Sequence, residues 1–409
     1  MKKLLFLIAF LFVFANFSQA QTREEFEEML SQINSDSLRQ TVVDMQSFQN
    51  RFCGVGNKQV AQYIVNRLQG YGVANAAVDS FMLELDPWFA PPINRYMYNV
   101  KGTLAGSGQP DSTVIVGAHL DAVSFYSSTP LGNLVDTATA GADDNASGIA
   151  VMLEMARILH LNNLTPRLNI SFMGYDAEEV GLYGAQVDVL RRLNANEKIA
   201  VMINNDMVAN QPEENEWTLT LHWYDNATDI VAKAAELCEE FSTITPYIPT
   251  GSENDERQAS DSWAYAQQNV KAIFSIEHFF SPYYHTLLDT YDNCNFAYTA
   301  EVTKMNFALM FNYAFTDVMA LDIEDFSVSP TSVKLYPNPA ANYVDIQLPG
   351  TLQYNREAAV YDVYGKLCKT FSLIDGVTRI QISDLVNGVY FIRFQNEKGA
   401  FINAKFVKM

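Results

Sequence analysis

Positive charge is scarce in this sequence. Its 409 residues include 27 Lys and Arg against 47 Asp and Glu, which gives a formal net charge of −20 at pH 7. No basic stripe offsets this excess, and a surface of that sign repels the phosphates of DNA and RNA. The composition therefore excludes nucleic acid as a partner.

Long apolar runs are also scarce. The clearest one, Leu4–Phe14, follows two lysines and precedes Ser18-Gln19-Ala20, which is the pattern of a secretory signal. It is shorter than the ~20 residues that a membrane-spanning helix needs. We therefore expect residues 1–20 to be a signal peptide that is cleaved after Ala20, with no transmembrane segment in the mature chain.

Cysteine is rare as well, with four residues at Cys53, Cys238, Cys294 and Cys368. Their spacings match no zinc module, and four cysteines allow three disulfide pairings. Export would permit their oxidation. A disulfide between Cys53 and Cys294 is the slightly favoured interpretation, and buried free thiols are the alternative.

Apolar residues, in contrast, are plentiful: at 48% they suffice for a packed core and exclude a disordered chain. At about 100–200 residues per domain, the length indicates two or three domains. Residues 331–409 carry nine Lys and Arg against six Asp and Glu, so the acidic character ends near residue 330. We expect a main domain at 21–322 with a helical N-terminal lead, a linker at 323–332 and a C-terminal domain at 333–409.

Helical and strand-like segments alternate through the main domain. Apolar spacing predicts helices at 24–50 and 59–68, followed by buried strands with helices between them. The strands are Thr113–Ala118, Leu168–Met173, Ala200–Asn204, Thr218–His222 and Lys271–Ile276, and the helices are Gly148–His160, Gly181–Leu193, Ala227–Phe241 and Thr299–Leu321. Continuously apolar strands separated by helices indicate an α/β fold, a mostly parallel sheet sandwiched by helices.

Polar residues that can bind metals or move protons follow these strands. They occur in Gly117–Asp121, Gly141–Gly148, Gly174–Gly181, Asn204–Met207 and Tyr283–Thr290. Ligands of open α/β sheets bind beyond the carboxyl ends of the strands, so these segments should meet at one edge. Each alone has a structural explanation, such as an acid at a helix start. Together they hold two of the five histidines in the chain and indicate a functional site.

The residue types suit a pair of zinc ions. Two zinc ions about 3.5–4 Å apart need a bridging carboxylate, with histidine and carboxylate ligands on each side. A ligating histidine also needs a carboxylate that orients its ring, and Asp121 lies two residues after His119. Of two adjacent acids such as Glu178 and Glu179, one can bind metal while the other accepts and donates a proton.

Taken together, these segments resemble the co-catalytic di-zinc aminopeptidase family, of the bacterial leucyl-aminopeptidase type. The similarity rests on HLD, GADDNASG, DAEEVGLYGA, NNDM and HTLLDT, which occur in the family's order within residues 45–322. The resemblance implies that His119 and Asp206 bind one zinc ion, that Glu179 and His285 bind the other, and that Asp144 bridges them.

The same resemblance implies that Glu178 is the general base and that Asp121 orients the first histidine ligand. It suggests that Asp289 supports His285 or the loop after it, and it assigns no role to Asp143. The sequence departs from the family at Ser260-Asp261-Ser262, where members often have Ser-Asp-His. Arg257 lies near the place of a tyrosine that stabilises the tetrahedral intermediate in some members.

The activity implied by the resemblance is zinc-dependent hydrolysis of the N-terminal residue of peptide substrates. We expect apolar side chains to be preferred. Candidate pocket residues near the ligands are Met207, Ile276, Phe279, Phe280 and Tyr284, for which ordinary core packing is an equally good explanation. The alternatives are a carboxypeptidase or a glutaminyl cyclase of the same fold group, or a non-catalytic surface adhesin.

The C-terminal segment has short alternating strands separated by turn residues, which indicates a small all-β sandwich. Its opening Tyr336–Ala340, its strand Gly388–Phe394 and its basic end Lys405–Met409 resemble the sorting domain of the type IX (Por) secretion system. The resemblance implies export through the periplasm to the cell surface or the medium, with the secretion machinery as partner. An immunoglobulin-like carbohydrate-binding or adhesive module is the alternative.

Overall fold

The structure is a computed structural model. It describes residues 22–48, 50–53, 55–87, 89–125, 139–212, 216–315, 333–348, 354–362, 367–374, 376–396 and 401–409. The described residues form two compact units, one up to residue 319 and the other from residue 320. The expected signal peptide at 1–20 and the expected linker at 323–332 lie outside the described residues.

An eight-stranded sheet forms the centre of the first unit. Its strands are β1 Ala77–Leu85, β2 Ile93–Leu104, β3 Gln109–His119, β4 Leu168–Tyr175, β5 Lys198–Asn205, β6 Thr218–Trp223, β7 Thr245–Tyr247 and β8 Ala272–Glu277. Their order is β1-β2-β4-β3-β5-β8-β6-β7. Four of the seven pairings are parallel: β3 with β4, β3 with β5, β5 with β8, and β6 with β7. This confirms the mostly parallel sheet that the sequence predicts.

Helices cover the sheet. They are α1 Arg23–Ser31, α2 Ser35–Ser47, α3 Val55–Gly70, α4 Gly148–Leu161, α5 Tyr183–Asn194, α6 Thr228–Phe241, α7 Ser262–Ala266 and α8 Phe296–Ala314. Helices α4 and α8 are buried on almost every side and pack on each other and on β3 to β5, whereas α5 packs on α7 and β2. The core of this unit therefore lies between the central strands and the helices α4 and α8.

The N-terminal lead differs from the single helix predicted at 24–50. Two helices, α1 and α2, replace it, because Asn34 begins a second one: its side chain accepts hydrogen bonds from the main-chain N–H groups of Asp36 and Ser37. The antiparallel pair β1–β2 at the sheet edge is also absent from the sequence prediction. The predicted end of the last helix, beyond Phe315, lies outside the described residues.

The second unit contains two antiparallel sheets, as expected for a small all-β domain. Its strands are β9 Lys334–Tyr336, β10 Tyr343–Gln347, β11 Tyr354–Asp362, β12 Leu367–Ser372, β13 Val377–Gln381, β14 Gly388–Asn396 and β15 Phe401–Lys408. The sheet orders are β13-β10-β9 and β12-β11-β14-β15. One apolar cluster that includes Ile346, Val360, Ile392 and Phe406 joins the inner faces of the two sheets.

All four cysteines are free thiols, so the favoured disulfide between Cys53 and Cys294 does not form. The two residues have different surroundings: Cys53 packs in an apolar cluster with Phe81 and Met97, while the thiol of Cys294 points to the carbonyl of Thr290. Within the described residues, no helix is both long and apolar enough to cross a membrane.

Candidate metal centre

The ends of four neighbouring strands bring the predicted ligands to one edge of the sheet. His119 ends β3, Glu178 and Glu179 follow β4, Asp206 follows β5, and His285 lies in the loop after β8. These strands run parallel, so their carboxyl ends meet at the same edge, as expected for a ligand site in this class of sheet.

Asp144 lies between the two histidines. It belongs to a short π-type turn, Ala142–Ser147, which leads into α4 and has non-helical φ and ψ at Asp144 itself. Its Oδ1 is 3.1 Å from Nε2 of His119, and its Oδ2 is 3.1 Å from Nε2 of His285. One carboxylate therefore faces both imidazoles, which is the geometry that a bridging metal ligand requires.

A further carboxylate completes the donor set on each side. Oδ1 of Asp206 is 3.3 Å from Nε2 of His119, and Oε2 of Glu179 is 2.9 Å from Nε2 of His285. In a tetrahedral zinc site with bonds of about 2.0–2.1 Å, neighbouring ligand atoms are about 3.3 Å apart. The donor atoms on both sides thus fit a zinc ion, and the chemistry of the set, imidazole and carboxylate, suits zinc as well.

The cluster is buried and strongly acidic. Burial raises the pKa of Glu178 and Glu179, and neighbouring carboxylates raise both further. Burial lowers the pKa of His285, but the charge of Glu179 and the contacts with Asp144 outweigh this and raise it to about 10. The pKa of His119 is raised in the same way by Asp206 and Glu178 against the effect of burial. The carboxylates around the two histidines therefore favour positive charge at this place, as a site for divalent cations requires.

Asp121 has two roles in the geometry. Nδ1 of His119 lies 3.2 Å from its main-chain carbonyl and 3.5 Å from its carboxylate. The two carboxylate oxygens also accept hydrogen bonds from the main-chain N–H groups of Glu178 and Glu179, each at 3.2 Å. The residue thus lies where it can orient the histidine, as expected, and it also holds the turn that carries both glutamates.

Glu178 and Glu179 face different neighbours. Oε1 of Glu179 accepts a hydrogen bond from the main-chain N–H of Val123, and Oε2 faces His285. Glu178 places a carboxylate oxygen within 4.8 Å of donor atoms of His119 and Asp206, and Glu179 places one within the same distance of donor atoms of His119 and Asp144. Glu179 thus lies between the two histidines, and Glu178 lies beside His119.

Outer contacts fix the ligands. Ser260 donates a hydrogen bond to Oδ2 of Asp206 at 2.5 Å. Asp289, which was expected to support His285 or the loop after it, accepts hydrogen bonds from the main-chain N–H groups of Asp143 and Asp144 at 2.9 and 3.1 Å. It holds the turn of the bridging ligand because its loop crosses the start of that turn, where Ala142 donates to its carbonyl.

Asp143, to which the sequence assigns no role, also has a clear place. Its Oδ1 accepts a hydrogen bond from the main-chain N–H of Ala209, and burial together with neighbouring carboxylates raises its pKa to about 6. Its carboxyl group faces that of Glu277, which in turn accepts hydrogen bonds from the main-chain N–H groups of Asn210 and Ser281. This acid pair joins the turn of Asp144 to the loops after β5 and β8.

Three residues other than glycine have left-handed backbone angles at the centre. They are Ala177 before the glutamate pair, Met207 after Asp206, and His285 itself, with φ of 61°, 51° and 56°. Such conformations cost about 1–3 kcal/mol each and persist where surrounding contacts over-determine them. No sequence pattern indicates Ala177 and Met207, because neither is a residue type that favours this conformation, whereas histidine is one of the types enriched there.

The predicted pocket residues separate into two groups. Met207 and Ile276 are buried together with Phe274. Phe280 and Tyr284 are exposed at 58% and 37%, with their rings 4.9 Å apart, and the ring of Phe279 packs edge-on against His278. Met207 and Ile276 thus belong to a buried apolar cluster, whereas Phe280 and Tyr284 are exposed aromatic side chains.

Tyr284 also stacks on His285, a candidate metal ligand. Its ring centroid is 3.6 Å from that of His285. Burial raises the pKa of its hydroxyl, and the charges of Asp144 and Glu179 raise it further. These carboxylates therefore favour the neutral, hydrogen-bond-donating form of the hydroxyl. The sequence predicts Tyr284 only as a pocket residue, and its position directly before His285 is the available signal.

The departures from the family pattern have structural surroundings of their own. Ser262 pairs its hydroxyl with that of Tyr224 at 2.8 Å. Arg257 donates to the main-chain carbonyl of Trp223 and lies over the ring of that residue. Ser262 and Arg257 therefore both contact residues at the end of β6, Trp223 and Tyr224.

Comparisons with known proteins identify a family for each part of the chain. Residues 99–310 match the profile of peptidase family M28, and residues 334–409 match the profile of the secretion system C-terminal sorting domain. The chain is 30% identical over 258 residues to a probable zinc metalloprotease of Pyrenophora teres f. teres, in an alignment that covers 57% of this chain and 50% of that protein.

Two further proteins are similar over a larger share of their length. Leucine aminopeptidase 1 of Paracoccidioides brasiliensis is 24% identical over 319 residues, which cover 74% of this chain and 76% of that protein. The solved structure of the LapA aminopeptidase of Legionella pneumophila matches with a TM-score of 0.57 at 22% identity, over 73% of this chain and 77% of that one. The chain thus spans between half and about three quarters of these proteins, and the structural likeness shows a shared fold.

Proposed function

Because the chain belongs to peptidase family M28, we propose that it is an exported zinc aminopeptidase that removes apolar N-terminal residues from peptides. The observation that carries the proposal is the position of Asp144, whose two carboxylate oxygens each lie 3.1 Å from a different histidine. This arrangement supports a pair of metal ions that share one carboxylate.

In this proposal, His119 and Asp206 would hold one zinc ion, Glu179 and His285 would hold the second, and Asp144 would bridge them. When bound, zinc would polarise the scissile carbonyl and lower the pKa of a water molecule. Glu178 then accepts the proton of the attacking water and passes it to the leaving amine. Its place beside His119 and Asp206, with a raised pKa, supports this role.

Two more residues take part in the proposed mechanism. The hydroxyl of Tyr284 donates a hydrogen bond to the carbonyl oxygen as that oxygen gains negative charge. Asp121 keeps His119 and the main chain of Glu178 in position. The stack of Tyr284 on His285 supports its part, because it fixes the ring beside a metal ligand.

Similarity to leucine aminopeptidase 1 over 74% of this chain favours an aminopeptidase over a carboxypeptidase.

The C-terminal unit supports export. Its match to a sorting domain leads us to propose that the type IX secretion machinery recognises residues 333–409 and delivers the enzyme to the cell surface or the medium. The main domain at 21–322 would then act on peptides outside the cell.

The test is to count zinc in the purified protein and to measure hydrolysis of leucyl-anilide, an N-blocked peptide and a glutaminyl-peptide. About two zinc ions per chain with cleavage of the unblocked substrate alone would support the proposal. Cleavage of the blocked peptide alone would indicate a carboxypeptidase, and cyclisation of glutamine would indicate a cyclase. No zinc and no turnover would leave a non-catalytic protein.

A further inference from the structure

We propose that Arg51 is a positioning residue of the metal centre, which holds the main chain beside His119 and before Asp144 in the geometry that binds metal. Arg51 lies between α2 and α3, in the part of the chain that precedes the match to the peptidase family at 99–310. The inference rests on the proposed function, because it concerns the same pair of metal ions.

Arg51 is fully buried, and it connects two segments that are far apart in sequence. Its Nη2 donates to the carbonyls of Gly141 and Ala140 at 2.5 and 3.1 Å, and its Nη1 lies 3.5 Å from the carbonyl of Leu120. Burying a guanidinium is costly unless such partners replace water. The partners are the main-chain carbonyl of Leu120, which directly follows His119, and those of Ala140 and Gly141, which lie four and three residues before Asp144.

The main chain of Arg51 binds the same two segments. Its N–H donates to Oγ1 of Thr139 at 3.0 Å, and its carbonyl accepts a hydrogen bond from the N–H of Ala122 at 3.4 Å. Arg51 thus joins residues 120–122, which directly follow His119, to residues 139–141, which lead to Asp144. Displacement of either segment would move a donor atom of the centre.

Gly141 is shaped to receive this guanidinium. Its φ is +58°, and a Cβ built on it would lie 2.2 Å from Nη2 of Arg51 and 2.7 Å from the carbonyl oxygen of Asp144. Glycine is therefore needed here for space as well as for its positive φ. Any side chain at this position would displace the guanidinium of Arg51 or the main chain of Asp144.

The charge of Arg51 also faces the centre. Asp289, Asp121, Asp144 and Glu179 all attract its guanidinium, and two of these are proposed ligands. A different buried arginine, Arg192, provides a contrast, because its hydrogen bonds go to Asp188, Glu197 and Ser171. Arg192 forms an ion pair with Asp188 within α5. Arg51 instead binds main-chain carbonyls of the segments that carry His119 and Asp144.

The test compares Arg51→Lys with Arg192→Lys in the full-length protein. Zinc affinity is measured by competition with a chromophoric chelator, and folding is followed by thermal melting. Lysine keeps the charge but cannot reach several carbonyls with one planar fork. We expect both variants to melt at a lower temperature, but only Arg51→Lys to lose zinc affinity, by about 10- to 100-fold as for other groups that orient metal ligands.

Kinetics at saturating zinc give a second readout. If Arg51 positions the ligands, kcat should fall in Arg51→Lys while KM changes little, and Arg192→Lys should keep both. Should Arg51→Lys not fold, Arg51→Gln, which keeps a shorter amide donor and leaves Gly141 and Asp144 unaltered, replaces it and should also weaken zinc binding.

Equal zinc affinity in Arg51→Lys, Arg192→Lys and the unaltered protein would overturn this inference and leave the proposed function intact. Absence of zinc binding in the unaltered protein would overturn the proposed function together with the inference.

Discussion

The two adjacent glutamates of the centre have different neighbours. Glu179 faces His285 and is held by the N–H of Val123, whereas the carboxylate of Glu178 lies beside His119 and Asp206. The positions of their main-chain N–H groups are set by one residue, Asp121. In the proposed mechanism, this arrangement separates metal binding by Glu179 from proton transfer by Glu178.

The first prediction concerns this separation. Glu178→Gln should keep zinc but lower kcat by about 10²- to 10⁴-fold, because it removes the proton acceptor and leaves the ligands in place. Glu179→Gln should lose zinc from the His285 side. Glu236→Gln, on the exposed face of α6, is the control and should behave like the unaltered protein. Loss of zinc from Glu178→Gln with activity intact would contradict the assignment.

The second prediction concerns Tyr284. Tyr284→Phe keeps the ring that stacks on His285 but removes the hydroxyl, so kcat should fall by about 100-fold while zinc content stays the same. Tyr96→Phe is the matched control, because Tyr96 is an exposed residue of strand β2. A change in KM alone would show that the residue binds substrate without stabilising the reacting carbonyl.

Residue types and their places after strands allow much of the centre to be predicted from sequence. His119 and His285 are two of only five histidines, and their motifs resemble a known family. The part played by Arg51 and the left-handed angle of Ala177 depend on contacts between distant segments. Such contacts leave no local pattern in a single sequence.

Among the elements, the central strands follow most directly from the sequence. The predicted bounds of β4 and β5 agree with the structure to within two residues at each end, because buried parallel strands are continuously apolar. The sequence does not predict strands β1 and β2, because both strands have side chains that face solvent. Met82 and Tyr96, for example, are 54% and 58% exposed. Their outward polar residues dilute the apolar signal, and the antiparallel pairing is set by tertiary contacts.

The third prediction tests the break between α1 and α2. Asn34→Ala should lower the free energy of unfolding by about 1 kcal/mol, because the first N–H groups of α2 lose their cap. Zinc affinity should not change, since the site is built from other elements. Urea unfolding measures the effect, and Asn34→Ser, which retains a capping oxygen, is the control. A full-sized loss in both variants would mean that packing, and not the cap, is responsible.

For the molecule as a whole, removal of zinc should make stability depend on pH. The pKa of Glu179 is raised above its ordinary value of 4.5, and that of His285 is raised from 6.5 to about 10. A group whose pKa is higher in the folded than in the unfolded protein stabilises the fold fully at pH values below its unfolded-state pKa. This stabilisation is lost as the pH rises through its folded-state pKa. The lowered pKa of Asp144 acts in the opposite direction, but below its ordinary value of 3.8.

The fourth prediction follows from these signs. Chelator-treated protein should become less stable as pH rises from 4.5 to about 10, whereas bound zinc replaces the protons and should flatten the profile. Urea unfolding at a series of pH values, with zinc and with chelator, measures the two slopes. Equal slopes would show that the cluster does not exchange protons for metal.

The fifth prediction concerns the two units. Deletion of residues 331–409 should leave peptidase activity in the cell extract but remove it from the medium and the cell surface, because only the second unit matches a sorting domain. Activity assays on the separated fractions measure the outcome. Export that continues without this segment would exclude it as the sorting signal.

The unequal exposure of the two histidines has a consequence for metal exchange. The side chain of His285 is 22% exposed, whereas that of His119 is 1% exposed. A chelator that approaches from solvent meets the His285 side first, so the proposed pair of ions should differ in lability. The outer position would then exchange while the inner one stays filled, and the enzyme would hold two different metals whenever its surroundings supply a second kind.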